Sequence, residues 1–167
     1  MSTTDNPEKR FAVDIMLGKL AKWLRVLGFD AAVQPIRDPE LVEKLLAEGI
    51  VPVTRREKMR ETQGIVFIRS DHLFEQLREL ITALDLKGSD LKPFSRCSVC
   101  NSPLFGITRE AAFGGVPDFV FETATDFRKC PECGRIYWPG THKTRMLEKL
   151  QSIIGWERPE EGEDAGE

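Results

Sequence analysis

Apolar residues in the first half of the chain fall into short runs separated by helical stripes. Phe11-Ala-Val13 is a brief apolar run ending in Asp14, and a helix begins almost at once. In that helix Leu17, Leu20, Leu24 and Leu27 recur at three and four residues, one stripe of a 3.6-residue period, with Gly28 as its stop. Ala31-Ala-Val33 reads as a second short strand. Asp38 and Pro39 then open a helix as N-cap and first helical residue; Leu41, Val42, Leu45 and Leu46 form its buried side and Gly49 ends it. Ile50–Thr54 and Ile65–Ile68 read as the third and fourth strands. Pro52 lacks a backbone donor, which predicts a place near a sheet edge or a local irregularity. Ser70 caps a further helix that runs through Leu73, Leu77, Leu80, Ile81 and Leu84 to about Lys87.

This alternation with short connections predicts an α/β fold, a parallel sheet with helices on its faces. In such sheets ligands bind beyond the carboxyl ends of the strands. That rule singles out Asp14, the turn at Asp30, the Asp38 cap and the loop from Arg55 to Lys58. The pattern changes after Gly88-Ser89, giving expected domains of 10–90 and 94–155. In the second, Phe119-Val-Phe121 and Ile136-Tyr-Trp138 read as ribbon strands and Gly114-Gly115 as a turn. A last helix follows, capped by Thr141, with Met146, Leu147, Leu150, Ile153 and Ile154 apolar.

The second segment carries all four cysteines, as Cys97-Ser-Val-Cys100 and Cys130-Pro-Glu-Cys133-Gly. Two distant pairs, each with two intervening residues, suit one tetrahedral zinc, because each tight turn aims two sulfurs at a shared point. Four thiolates close the coordination sphere, so this metal is a scaffold rather than a catalyst. Two disulfides are the competing reading, but a Cys-x-x-Cys bridge closes a very small loop and stabilises little.

Composition adds less. At 167 residues, 41% hydrophobic and 31% charged, the chain has the profile of a globular protein, and no window approaches a membrane span. The opening MSTTDNPEKR has no apolar signal core, so the expected location is the cytoplasm, where cysteines stay reduced. The net charge of −3 is dominated by the last eleven residues, whose six acids and one arginine sum to −5 and leave the rest at +2. Residues 1–9 and 157–167 are expected to be disordered.

Acids at the ends of parallel strands suit magnesium or manganese, hard cations that activate water in phosphodiester hydrolysis. Asp14 is the leading candidate, with an N-cap as its alternative role. Asp38 also reads as an ordinary helix cap, Asp30 as a turn residue, and Asp71 as an acid favoured by a helix dipole. Arg55, Arg56, Lys58 and Arg60 place four positive charges within six residues, and Lys19, Lys22 and Arg25 repeat along one helix face. Such groups neutralise phosphates, or simply face solvent. Lys129, Lys143 and Arg145 extend the basic set. Phe119, Phe121, Tyr137 and Trp138 offer rings for base stacking, or a small core for the ribbon.

Asp14, the stretch Met16-Leu-Gly-Lys-Leu-Ala-Lys-Trp-Leu-Arg-Val-Leu-Gly-Phe-Asp30, Val53-Thr-Arg55, and the two knuckles ending in Cys133-Gly-Arg-Ile-Tyr-Trp-Pro-Gly-Thr-His142 resemble the mut-7 C-terminal RNase domain family. The resemblance spans roughly residues 10 to 150. It implies a PIN-like parallel sheet with an acidic, metal-dependent nuclease centre and an attached zinc ribbon. Asp14 matches the first-strand acid, Asp38 the acid after the second strand, and Asp30 the recurrent aspartate of the Gly-aromatic-Asp turn. The third strand departs from the pattern. Where the family has Thr-Arg-Asp, this chain reads Thr54-Arg55-Arg56, replacing a carboxylate by a guanidinium that cannot bind metal. Glu57, one residue on, is the candidate to compensate. His142 would contact phosphate or shuttle a proton, or serve structure alone.

The functional expectation is a metal-dependent ribonuclease or RNA-processing factor. It would use Asp14, Asp38 and Glu57 or Asp71 for magnesium or manganese, with Arg55 steering phosphate and RNA as partner. The alternative is a non-catalytic RNA-binding or ribosome-associated module whose centre is degraded by Arg56. A third reading is a protein-interaction adaptor.

Overall fold

The computed structural model describes residues 8–140, 145 and 148–152. Four strands, β1 (Arg10–Val13), β2 (Asp30–Val33), β3 (Ile50–Thr54) and β4 (Val66–Phe67), form a wholly parallel sheet in the order β2-β1-β3-β4. Three helices connect and cover them: α1 (Gly18–Val26), α2 (Pro39–Ala47) and α3 (Leu73–Leu84). Strand β1 is interior, and its Phe11, Ala12 and Val13 are all buried, as a strand covered on both faces requires.

The two faces have separate cores. Val13 and Val53 join Leu20 and Leu24 of α1 and Leu77 and Leu80 of α3 in one cluster, whereas Ala12 packs with Ile36, Met59, and Val42 and Leu45 of α2 in the other. Strand alternation explains the division, because neighbouring residues point to opposite faces. Leu150, in the helical stretch 148–152, is fully buried in the α1/α3 cluster, and Lys149 lies 3.8 Å from the ring centre of Phe74.

Pro52 sits in an internal strand. Strand β4 pairs with β3 only at Val53 and Thr54, while the carbonyl of Val53 faces β1, accepting from Asp14 N. By alternation the ring nitrogen of Pro52 faces the β4 side upstream of that strand's first pair, so no ladder bond is lost.

Asp38 is the N-cap of α2, accepting from Leu41 N at 2.8 Å. Gly28 ends the first helical region at φ 97°, and a Cβ there would collide with the Lys92 carbonyl. The helix expected from Ser70 starts later and stops sooner. His72 is the N-cap, Ser70 Oγ accepts from His72 N, and Asp85 in the left-handed region ends α3 after Leu84.

The cysteine-bearing segment forms a second, antiparallel sheet, β5 (Phe105–Ile107), β6 (Phe127–Lys129) and β7 (Ile136–Tyr137), in that order. Two short helices, α4 (Arg109–Ala112) and α5 (Asp118–Thr123), lie between β5 and β6. The expected strand at Phe119–Phe121 is therefore corrected to helix. Its β-prone composition is overridden: Pro117 has no N–H to give a strand ladder, Asp118 puts an acid in the first helical turn, and Phe119 has no face to bury, being 75% exposed. Phe121 instead takes a T-shaped contact from Phe113 and a guanidinium from Arg109. Trp138 falls just outside β7. Thr141, Lys143, Met146, Leu147, Ile153 and Ile154, and the termini 1–7 and 157–167, lie outside the described residues.

Candidate functional site

The four cysteines converge. Their sulfurs all lie within 4.8 Å of one another, with Cys97 Sγ and Cys133 Sγ 3.8 Å apart. A tetrahedron with metal–sulfur bonds of about 2.3 Å has edges of about 3.8 Å, so the cluster could hold a metal such as zinc. The two knuckles share one backbone design. Asn101 N donates to Cys97 O and Gly134 N to Cys130 O, with Asn101 and Gly134 both left-handed at φ 67° and 74°. Thiols this close do not ionise alike. Burial raises the Cys97 thiol, but a contact from Tyr137 Oη at 3.0 Å and the amides of Cys100 and Val99 outweigh it, leaving it lowered to about 6. Cys100 is raised to about 12, first by its contact with Cys133 and then by burial. A divalent cation at the centre would remove this conflict by favouring every thiolate.

Knuckle one is tied to the amino end of the parallel sheet. Asn101 Nδ2 donates to Asp30 Oδ1 at 2.7 Å while Asn101 Oδ1 accepts from Ala31 N at 3.0 Å. Arg25 donates to the carbonyls of Ala31, Ser98 and Val99, and Arg96 to those of Gly28 and Asn101. Asp30 is paired in register with Arg10, the first residue of β1, whereas Asp14 follows the last. About four residues at ~3.3 Å each place the two acids some 13 Å apart along the strands. The structure therefore takes Asp30 and Arg25 to the first cysteine knuckle, not to the carboxyl edge.

At that carboxyl edge Asp14 is wholly buried. Its Oδ1 accepts from Ile15 N at 2.8 Å, capping the 3-10 turn 15–17, and from Ile36 N at 3.4 Å. Its Oδ2 accepts from Thr54 Oγ1 at 2.6 Å and lies 3.6 Å from Arg56 Nε. Arg56 also donates to Ile36 O at 3.2 Å, and its own amide to Thr54 Oγ1 at 3.0 Å. Thr54, Ile36 and Arg56 thus close a box around the carboxylate. A divalent ion about 4 Å from that guanidinium would meet roughly 8 kcal/mol of repulsion at an effective dielectric near 20.

The other acids do not join Asp14. Asp38 is exposed and spends its carboxylate on the α2 cap. Glu57 is 77% exposed at its side chain and pairs with Arg60 at 3.7 Å. Asp71 pairs with His72 at 3.5 Å near the start of α3. Among the described residues the four cysteines are the one group of three or more ligating side chains close enough to share an ion.

The basic run after β3 is likewise divided. Arg56 turns to Asp14 on the α2 side. Arg55 lines a cavity of about 540 Å³ on the α1/α3 side, with Lys19, Asp71, His72 and Gln76. Lys58 lines a second cavity of about 610 Å³ beside α2, and Arg60 stacks over Phe67 at 5.3 Å. Lys22 is exposed, and His142 lies outside the described residues.

The sequence matches the Mut7-C RNAse domain family over residues 9–150 of the 167. The chain belongs to that family. The match spans both the parallel sheet and the cysteine cluster, so the two sheets are one family unit and not a fortuitous fusion. No curated protein and no solved structure matches. Thr54, Asn101, Gln76 and His72 were not singled out by sequence reasoning. Asn101 alone left a signal: an asparagine directly after a knuckle, where a left-handed residue is needed.

Proposed function

We propose that this member of an RNase domain family binds RNA at the carboxyl edge of its parallel sheet, with its acidic centre held shut by Arg56. The observation that carries this reading is the 3.6 Å ion pair from Arg56 Nε to Asp14 Oδ2 inside a box that already uses both carboxylate oxygens. Family membership supplies the substrate class, and Lys19, Lys22, Arg55 and Lys58 supply cations for phosphate. Zinc on Cys97, Cys100, Cys130 and Cys133 would be structural, fixing a ribbon of 94–155 against a sheet domain of 10–90, in a cytoplasmic protein.

The test is RNA binding across a salt series, with cleavage followed under added manganese. Binding should weaken as salt rises, and the RNA should stay intact. Cleavage by the purified chain that disappears in Asp14→Asn would overturn this reading.

A second reading, a metal-dependent ribonuclease, is favoured by one observation: the Arg56 side chain is 29% exposed. A substrate phosphate could draw that guanidinium outward and free Asp14 for magnesium or manganese, with Asp38, Glu57 or Asp71 arriving by rearrangement.

A further inference from the structure

The box around Asp14 and the cavity at Arg55 lie on opposite faces of the sheet. Asp14 bonds to Ile36, whose side chain belongs to the α2 core, while Arg55 lines a cavity between the starts of α1 and α3. The two arginines are sequence neighbours, and strand alternation sends them apart.

Arg56 has a counter-ion, and among the described residues Arg55 has none. Arg55 is half-buried, its Nε is fully shielded from solvent, and among the described residues that nitrogen has no hydrogen-bond partner and the side chain no ion pair. A guanidinium cannot shed its proton, so this charge is permanent. Its shielded Nε–H has neither water nor an acceptor, and an unmade bond to a buried donor is costly, which points to a partner supplied from outside. Lys19 stands on the same cavity wall and adds a second cation. Helix α3, twelve residues long, begins there without a side-chain cap, so its first amides add positive potential.

We propose that this cavity holds the terminal nucleotide of an RNA strand, with Arg55 and Lys19 gripping its end phosphate. The inference rests on the RNA-binding reading and goes beyond it in naming the strand end. Charge favours an end over an internal linkage. A phosphomonoester approaches two negative charges at neutral pH, matching two cations, whereas an internal diester carries one. Size agrees, because 540 Å³ falls within the range of about 300–1,000 Å³ for small-molecule pockets and exceeds the needs of a bare ion. The remaining wall suits a sugar. Gln76 is buried and commits its Nε2 to Ser70 O at 3.0 Å, leaving its carbonyl as an acceptor. With the Asp71 carboxylate, that gives two acceptors for ribose hydroxyls.

The experiment measures affinity of the full chain for one short unstructured RNA carrying a 5′-phosphate, a 3′-phosphate or hydroxyls at both ends, at fixed salt. One phosphorylated form should bind about tenfold or more tightly than the hydroxyl form, the scale of a charge-assisted contact. Arg55→Gln should bring that ratio close to one, and Lys19→Gln, at an exposed position, should reduce it. RNA binding with no preference among the ends, or a preference untouched by both variants, overturns the proposal while leaving RNA binding intact. If no RNA binds, the RNA reading fails and thermal shift with a nucleoside monophosphate decides. Stabilisation lost in Arg55→Gln then assigns the pocket to a free nucleotide, and its absence overturns the pocket as well.

Discussion

The guanidinium of Arg56 lies against the buried carboxylate of Asp14, Nε to Oδ2 3.6 Å, and is held there by the carbonyl of Ile36. Position 56 thereby supplies the counter-ion of the buried acid at the end of β1. Arg56→Asp removes the counter-ion and adds a ligand beside Asp14. It should raise manganese affinity above that of the parent chain, read by isothermal titration. It should also lower stability, because two carboxylates then share one buried site. Titration curves identical to the parent's would exclude position 56 as a ligand position.

Asp14 is first a structural residue. Ile15 N, Ile36 N and Thr54 Oγ1 all donate to it, so Asp14→Ala leaves three donors and a guanidinium without their acceptor. A loss of about 3 kcal/mol is expected in urea unfolding, the scale for stripping a buried charged acceptor. Arg56→Ala should cost less, about 1–2 kcal/mol, since that side chain keeps partial access to water. The double variant should lose less than the sum, and simple additivity would show the pair is uncoupled.

Chelation should separate the two sheets. The antiparallel sheet has few buried apolar residues beyond Phe127 and Ala112, whereas the parallel sheet has two cores of its own. Stripping metal from the four cysteines should abolish amide-exchange protection across 97–137 and preserve it in β1 and β3. Four thiols should become reactive together. Equal loss of protection in both sheets would mean that the parallel sheet depends on the metal for its fold.

Asn101 is the rivet between the knuckle and the parallel sheet. Asn101→Gly keeps the left-handed backbone but removes the bonds to Asp30 and Ala31, at an expected cost of about 1–3 kcal/mol. Asn101→Ala should cost more, because φ 67° also becomes strained. Thermal melts of the metal-loaded chain rank the two. Equal melting temperatures would assign the residue's role to its side chain alone.

Much of this arrangement is legible in the sequence, and the part that is not has a common cause. The Leu17–Leu27 stripe, the Asp38-Pro39 start and the paired knuckles are local patterns, and the structure contains all three. Asp30, Arg25 and Arg56 are different, because what they do depends on partners 71, 73 and 42 residues away. Lys19, Lys22 and Arg25 share a helix face in sequence terms, yet Lys19 meets a cavity, Lys22 meets water and Arg25 meets a knuckle. Arg55 and Arg56 look like one patch of charge because adjacency in a sequence says nothing of alternation at a strand end. Helix α5 was hidden by a β-prone triplet whose preceding Pro117-Asp118 carried the truer signal.

Arg55 has one more consequence, for anyone seeking a hardier version of the chain. A guanidinium with a shielded nitrogen and, among the described residues, no counterweight is what selection for heat tolerance would discard first. Arg55→Leu should gain about 1 kcal/mol, raising the melting midpoint by roughly 2–4 °C in calorimetry. A residue whose removal toughens the molecule is kept for what it grips, and a lowered midpoint would show instead that the guanidinium serves the fold.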